Sequence, residues 1–194
     1  MATDPYVYPG TNTLKNAADI RDSTDLQRFE AVSTVQRISE LSLQPIQGAF
    51  DIQHLQHIHR YIFQDVYSWA GEFRTVDLAK QGEFWFCRPE FILQSLQTLL
   101  AALNRERNLQ GAKLKEFIAR ASHYMAELNA IHPFREGNGR AQREFMRELG
   151  LQAGFQVNWT KVKKEEMYSA SIASFQKRDN SQLERLIGSI TTKA

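Results

Sequence analysis

Apolar residues recur along most of the chain at the spacing of helices that bury one side. The first run starts at Asp25 and has an apolar residue at every third position, which predicts a helix with one broad buried face: Leu26, Phe29, Val32, Val35, Ile38 and Leu41. A second helix is predicted from Asp51 to Trp69, stopped by Gly71, with these residues directed inward: Ile52, Leu55, Ile58, Ile62 and Val66. Five further runs, at about 88–108, 114–131, 139–153, 161–175 and 181–191, bring the prediction to seven helices.

One segment departs from the helical spacing. Between Arg74 and Cys87, Val76 and Leu78 alternate with polar residues before the turn-like sequence Lys-Gln-Gly-Glu at 80–83, and an aromatic run follows. This pattern is typical of a β-hairpin, which must rest on the helices because a lone hairpin is marginal in water. Its outer edge would then stay unpaired. The aromatic run Phe84, Trp85 and Phe86 fits core packing and a docking surface equally well.

The whole pattern predicts an all-α fold in a single domain, 1–194. It consists of a bundle of about seven helices with the hairpin 74–87 appended, and residues 1–24 form an ordered lead-in. No internal repeat, low-complexity tract or linker divides the chain.

Charge and cysteine content narrow the class of protein. The net charge of +2 over 194 residues favours neither nucleic-acid wrapping nor a polybasic membrane surface. The single cysteine, Cys87, excludes an internal disulfide framework and a cysteine-built zinc site. The longest apolar stretch, around 99–103, is far below the ~18 residues of a spanning helix, and the first five residues do not form a signal peptide. We therefore expect a cytoplasmic protein that binds neither membrane nor nucleic acid.

The segment 131–143 has the pattern of a phosphate-binding loop. Pro133 disfavours the helical conformation at His132 and so ends the preceding helix there. Gly137 and Gly139 flank Asn138 where the next helix begins. A helix start offers unpaired N–H groups and the positive end of the helix dipole, and glycine lets an anion approach closely.

The side chains of this loop divide into the roles that a phosphate reaction needs. Arg140 and Arg143 lie on one helix face and can each clamp a phosphate oxygen. Glu136 suits Mg²⁺, which takes one or two carboxylates plus substrate phosphates. His132 can serve as a general base. Each residue alone has an ordinary structural explanation, such as a helix-end histidine or a surface carboxylate, but their occurrence within twelve consecutive residues favours chemistry.

These residues resemble a known family. The sequence His-Pro-Phe-Arg-Glu-Gly-Asn-Gly-Arg-Ala-Gln-Arg at 132–143 matches without departure the motif His-Pro-Phe-x-Asp/Glu-Gly-Asn-Gly-Arg-x-x-Arg of Fic adenylyltransferases. The segments Asp-Pro-Tyr at 4–6, Tyr-Pro-Gly at 8–10, Ile-His-Arg at 58–60 and Trp-Ala-Gly-Glu-Phe-Arg at 69–74 also resemble compact bacterial Fic toxins. The resemblance implies a Fic-type helical bundle in which the hairpin is the flap.

The resemblance also implies a reaction, in which AMP passes from ATP to a hydroxyl of a target protein docked on the flap. His132 would be the base, and Glu136 would hold Mg²⁺. Gly137, Asn138 and Gly139 would form the anion nest, with Arg140 at the β-phosphate and Arg143 at the γ-phosphate. Gly139 also separates the chain from the related death-on-curing kinases, which carry lysine there, so phosphorylation is the less favoured transfer.

Further residues are candidates for the nucleotide site. Lys80 of the hairpin and Tyr168 are predicted to contact the nucleotide, with Ser169 and Ser171 beside Tyr168 on the adenine wall and Asn104 as a weaker candidate. The three lysines at 161, 163 and 164 are interpreted as a solvated helix start. The histidines at 54, 57 and 59 could suggest a metal site, but no third ligand has a recognisable spacing, and none is predicted.

The resemblance extends to targets and control. Compact Fic toxins modify a tyrosine in the ATPase subunits of DNA gyrase and topoisomerase IV. Fic proteins are commonly restrained by a helix with Ser/Thr-x-x-x-Glu-Gly/Asn, whose glutamate pairs with the second motif arginine, here Arg143. The only Glu-Gly or Glu-Asn pair of this chain is Glu136-Gly137, with His132 four residues before it. We therefore expect a separate antitoxin. The alternative is a nucleotide-binding scaffold without turnover, although binding alone does not require His132.

Overall fold

Seven α-helices make up most of the chain in the computed structural model, which describes residues 4–80 and 84–194 and leaves the side chain of Lys80 outside the description. The helices are α1 Ser23–Leu43, α2 Ile52–Phe63, α3 Pro89–Arg105, α4 Leu114–Ile131, α5 Asn138–Ala153, α6 Lys164–Lys177 and α7 Ser181–Ile190. Short 3-10 turns lie at Arg107–Leu109 and Trp159–Lys161. The prediction of an all-α bundle of seven helices is confirmed for the described residues.

The buried face predicted for α1 is wrong at its centre. Leu26 and Leu41 are buried, but Val32 and Val35 are 73% and 64% exposed. A step of three residues turns an α-helix by about 300°, so each apolar position lies about 60° behind the one before. Val35 therefore faces almost opposite to Leu26. The result is an apolar stripe of α1 that the described residues leave exposed.

Helix α2 ends at Phe63, earlier than the predicted Trp69. The amides of Val66 and Tyr67 both donate to the Phe63 carbonyl, which starts a series of turns up to Gly71. Tyr67 and Trp69 stack with ring centroids 4.2 Å apart, and both are buried. The apolar pattern predicted burial correctly here and the helix boundary incorrectly, because packed turns and helices bury the same residue types.

The hairpin forms where it was predicted. Strands β1 Ala79–Lys80 and β2 Phe84–Trp85 pair antiparallel, with Ala79 opposite Trp85. The predicted turn at 81–83 lies outside the described residues. Within the aromatic run Phe86 is buried, which fits core packing, and Trp85 is 64% exposed, so a docking surface there stays a prediction. In the lead-in, the side chain of Asp4 accepts two hydrogen bonds from Arg135.

A second small sheet was not predicted. Strand β3 Phe155–Val157 pairs antiparallel with β4 Thr191–Lys193, so the segment after α5 meets the end of the chain. Helix α5 lies at the centre of the fold and packs against α2, α4 and β3, with Ala141, Phe145, Met146 and Leu149 in the core. No helix within 4–80 and 84–194 has the length and apolarity to cross a membrane.

Candidate active site

His132 lies immediately after α4 in a left-handed conformation, with φ 49° and ψ 60°. Its amide donates to the Leu128 carbonyl at 2.9 Å, which closes the end of the helix. The imidazole stacks on Phe86, at the end of the hairpin, with centroids 3.8 Å apart and planes 10° apart. The end of α4 and the root of the flap therefore orient the ring together, and Pro133 ends the helix as predicted.

The loop after His132 requires glycine at 137. Gly137 has φ 79° and is the N-cap of α5, and a Cβ there would lie 2.1 Å from Cζ of Phe63. Asn138 is buried, accepts from the Phe134 amide at 2.9 Å and donates to the Phe134 carbonyl at 2.7 Å. Its side chain thus closes the loop, and an anion can meet only the backbone at this position.

His59 of α2 contacts the same loop and helps to hold it in place. Its Nε2 lies 2.9 Å from the Glu136 carbonyl, and its Nδ1 accepts from the Gly71 amide at 2.9 Å. The ring lies between Phe134 and Phe63, with centroid distances of 3.8 and 4.7 Å. Burial lowers the pKa of His59 to about 4, so the ring is neutral at pH 7, with Nε2 as the donor.

The other two histidines of α2 have different surroundings. His54 is buried and its Nε2 lies 2.8 Å from the Glu148 carboxylate, whereas His57 is exposed. No cluster of three or more histidine, cysteine or acidic residues suited to a metal occurs within the described ranges. Sequence reasoning missed the structural function of His54 and His59, because their partners are 94 and 77 residues away.

Arg140 is held by residues of α1. It donates to Glu30 at 2.6 Å and to Thr34 Oγ1 at 3.2 Å, and its guanidinium lies 4.7 Å from the centroid of Phe63. Glu30 also accepts from the Tyr67 hydroxyl, whose pKa is raised by burial and by that carboxylate. The Arg140 guanidinium is therefore oriented by residues that the motif does not contain.

Arg143 has a different environment. It is half-buried and makes no hydrogen bond or ion pair with the described part of the chain. Burial, and then the positive charge of Arg140, lower its pKa from the ordinary arginine value. A buried cation without an acidic partner favours an incoming anion. Arg143 lines two cavities, of about 420 and 460 Å³.

The 460 Å³ cavity connects the loop to α6. It is lined by Gly139, Arg143, Tyr168 and Ser171, together with Asn129, Gln142, Trp159, Val162, Lys163, Lys164 and Met167. This places Tyr168 and Ser171 beside the motif, and their contact with the adenine stays a prediction. The exposed lysines 163 and 164 sit at its rim.

Two of the adenine-wall candidates lie elsewhere. The Ser169 hydroxyl donates to Gln182 of α7 at 3.3 Å, because it is one residue round the helix from Tyr168. Asn104 lines a separate cavity beside Phe50 and Asp51. The prediction for Lys80 concerns a side chain outside the described residues.

Glu136 fits a Mg²⁺ ion in its chemistry. Its side chain is 44% exposed, its Oε1 accepts from the Gly137 amide at 2.8 Å, and the same oxygen lies 3.6 Å from the Arg140 guanidinium. Mg²⁺ uses one or two carboxylates and takes its other ligands from phosphates and water. A single accessible carboxylate beside an anion site meets this need.

Comparison with known proteins places these features in a family. The family model described as Fic/DOC matches residues 49–149. Protein adenylyltransferase VbhT of Bartonella schoenbuchensis is 41% identical over 90% of this chain, and this chain spans 36% of VbhT. The probable protein adenylyltransferase y4lH of Sinorhizobium fredii is 42% identical over 89% of this chain and 88% of its own length.

A solved structure agrees over almost the full length. The BepC protein of Bartonella tribocorum, a VirB-translocated effector crystallised with AMPPNP, superposes with a TM-score of 0.91 at 30% identity and covers 97% of both chains. The fold therefore agrees with the resemblance to Fic proteins, and one solved relative holds a nucleotide.

Proposed function

Because the chain belongs to the Fic/DOC family and is a domain of the protein adenylyltransferase type, we propose that it transfers AMP from ATP to a hydroxyl of another protein. The observation that supports this most directly is Arg143. It is a half-buried guanidinium without an acidic partner in the described chain, next to the amides that start α5 and to a cavity of about 460 Å³. The triphosphate would lie over the start of α5 and the adenine in that cavity, near Tyr168.

In the proposed reaction His132 takes the proton from the target hydroxyl. The oxygen forms a bond to the α-phosphorus, the bond from this phosphorus to the β-phosphate oxygen breaks, and pyrophosphate leaves with its electron pair. Arg140 and Arg143 hold the β- and γ-phosphates, and the backbone of 137–139 holds an oxygen at the loop. These residues catalyse by positioning and charge stabilisation, without a covalent intermediate.

Glu136 would hold Mg²⁺ at the phosphates. A bound Mg²⁺ neutralises charge on the triphosphate and on the departing pyrophosphate. The Glu136 carboxylate would fix the position of the ion, because the backbone carbonyl of Glu136 is hydrogen-bonded to His59.

The function is tested with ATP labelled in the α-phosphate and a bacterial lysate. We expect label in protein with Mg²⁺ and none after the divalent cations are chelated. Label from the γ-phosphate would show phosphorylation instead. Binding of ATP without any transfer would support the alternative, a nucleotide-binding scaffold.

The flap is proposed to dock the target as an added strand. The Phe86 amide donates inward to the Leu78 carbonyl at 3.0 Å, so the N–H groups of the alternate residues, Ala79 and Trp85, point to the outer edges. A strand added there gains main-chain hydrogen bonds whatever its sequence. Target specificity must then come from other surfaces.

We predict that Ala79→Pro lowers transfer to protein much more than it lowers ATP affinity. Proline removes an outward N–H without breaking the Phe86–Leu78 bond. The matched control Ala79→Val keeps the N–H and should retain transfer. Transfer and ATP affinity would be measured on one preparation. An equal loss of both would show that the flap is part of the nucleotide pocket.

For the target, we propose a tyrosine in the ATPase subunits of DNA gyrase and topoisomerase IV, as the resemblance to compact Fic toxins implies. Mass spectrometry of proteins modified in cells that express the chain tests this, and AMP on other proteins alone would reject it.

We also propose that a separate antitoxin controls the enzyme through a helix with Ser/Thr-x-x-x-Glu-Gly/Asn. The 420 Å³ cavity is lined by Arg140, Arg143 and Arg147, by Glu144, which is paired with Arg147, and by apolar residues that include Ile38, Leu151, Val157 and Trp159. Val35 continues this apolar surface along the exposed side of α1, because residues 35, 38 and 42 lie on one helix face. An amphipathic helix fits such a surface, and its glutamate would complement Arg143.

Expression of the chain alone should arrest bacterial growth, and purification with its native operon should recover a small helical protein. Val35→Asp should weaken that complex, because it puts a charge into the apolar stripe. The control Leu93→Asp changes another exposed apolar residue, which lies on α3, and should leave the complex intact. If the isolated chain becomes active only after a terminus is trimmed, the restraint is internal and this proposal is wrong.

A further inference from the structure

Arg74 is 2% exposed, and it is the largest of the fully buried side chains within the described residues. Its acceptors are all backbone carbonyls: Nε donates to His132 at 2.8 Å, Nη1 to Val76 at 2.7 Å, and Nη2 to Ile131 at 3.3 Å and to Cys87. No ion pair of Arg74 with a carboxylate forms in 4–80 or 84–194. A buried charge is costly unless its hydrogen bonds are satisfied, so this arrangement is a specific one.

The acceptors belong to two different parts of the site. Ile131 and His132 are the end of α4, where carbonyls lack helical partners and a cation is favoured. Val76 and Cys87 are the two roots of the flap, on either side of β1 and β2. The backbone strengthens the same junction, because the Arg74 amide donates to the Pro133 carbonyl at 2.9 Å and the Cys87 amide donates to Ala130 at 3.1 Å.

The junction controls the orientation of His132 in two ways. His132 has a left-handed backbone, which is unfavourable for a residue with a side chain and must be held by its surroundings. The Arg74–His132 bond supplies one such restraint. Phe86 is adjacent to Cys87 and stacks on the imidazole, so a shift of the flap root would also shift the ring.

We propose that Arg74 is a positioning residue that fixes the flap and the catalytic base as one unit, which rests on the proposed function of His132 as the base. Arg74 lines neither cavity beside Arg143, so it acts on the attacking hydroxyl and the base and not on the nucleotide. The planar fork is required for this, because a lysine ammonium at the same place is a point charge on a flexible stem and cannot reach four carbonyls of two segments.

The test is Arg74→Lys, measured in two independent ways. We expect kcat for protein adenylylation to fall about 10²-fold, the effect of misplacing a reacting group by about 1 Å, with the KM for ATP close to the wild-type value. In proton NMR, the His132 ring signal is identified by its loss in His132→Ala. Stacking on Phe86 shifts it upfield, and Arg74→Lys should return it towards the position of an exposed histidine, while the signals of His54 and His59 stay in place.

Unchanged kcat and an unchanged His132 signal in Arg74→Lys would overturn the proposal. So would a proportional loss of kcat and ATP affinity together with movement of all five histidine signals, since that indicates general loss of structure. If Arg74→Lys does not fold, Arg74→Gln is measured in the same way, and failure of both to fold rejects a separable positioning function. Since the NMR shift is read without turnover, it decides the matter even if His132 is not the base.

Discussion

His132→Ala should lower the rate of adenylyl transfer by about 10²–10⁴-fold, the effect of removing a general base, and leave ATP binding nearly unchanged. Transfer and ATP binding respond differently because different parts of the site serve them. The phosphates would be held by the arginines and amides of α5, whereas the imidazole is fixed by the end of α4 and by Phe86. Transfer is measured with α-labelled ATP and binding by calorimetry, on one preparation. The same variant should abolish growth arrest.

A second histidine provides the control for this experiment. His57 lies on the exposed side of α2, so His57→Ala should change neither transfer nor ATP binding. Transfer by His132→Ala at the wild-type rate would remove His132 from the mechanism. Parallel loss of transfer and of ATP binding would instead place the imidazole in the nucleotide pocket.

Gly137→Ala should destabilise the protein by about 2–5 kcal/mol and stop transfer. The left-handed backbone at φ 79° contributes about 1–2 kcal/mol, and the rest comes from a Cβ placed 2.1 Å from the Phe63 ring. Relief of this overlap must move either the ring below the loop or the loop itself, which carries Glu136 and the first amides of α5. Urea unfolding measures the stability, and the labelling assay measures transfer.

Gly154→Ala is the control that separates the backbone cost from the steric cost of a Cβ. Gly154 has φ 86°, and a Cβ at this position would have no neighbouring atom within 4 Å, so Gly154→Ala should cost only the backbone component of about 1–2 kcal/mol and retain activity. Combining Gly137→Ala with Phe63→Leu should destabilise less than the sum of the two single changes. Equal destabilisation by Gly137→Ala and Gly154→Ala would show that the contact with Phe63 does not restrict the loop.

Local regularities explain which features could be predicted. Helix α4 begins at Leu114 and ends at Ile131 as predicted, because its apolar period is regular and Pro133 stops it. The hairpin was recognised from alternation, a local signal of the same kind. The missed sheet of β3 and β4 has only three residues in each strand, which are too few to show a period.

The failures on α1 and α2 have a different origin. The apolar residues of α1 follow a three-residue step that takes them round the helix, and only contact with α2 and α5 determines which of them are covered. The turns after α2 are joined to α1 by long-range contacts, since the Tyr67 hydroxyl donates to Glu30 and Arg37 donates to Asp65, 28 residues apart. Neither the step nor the composition shows these contacts.

The sequence by itself determined the helical bundle, the flap and the residues 132–143, because a helical period, a hairpin and a loop at a helix start are encoded in consecutive residues. Only the tertiary structure decided what holds that loop in place. Arg140 is bonded to Glu30, the loop to His59, and His132 has its carbonyl bonded to Arg74 and its ring stacked on Phe86. These contacts join residues that are 46 to 110 positions apart in the sequence. They leave no local pattern, because a hydrogen bond or a ring stack requires only that folding bring two distant groups together.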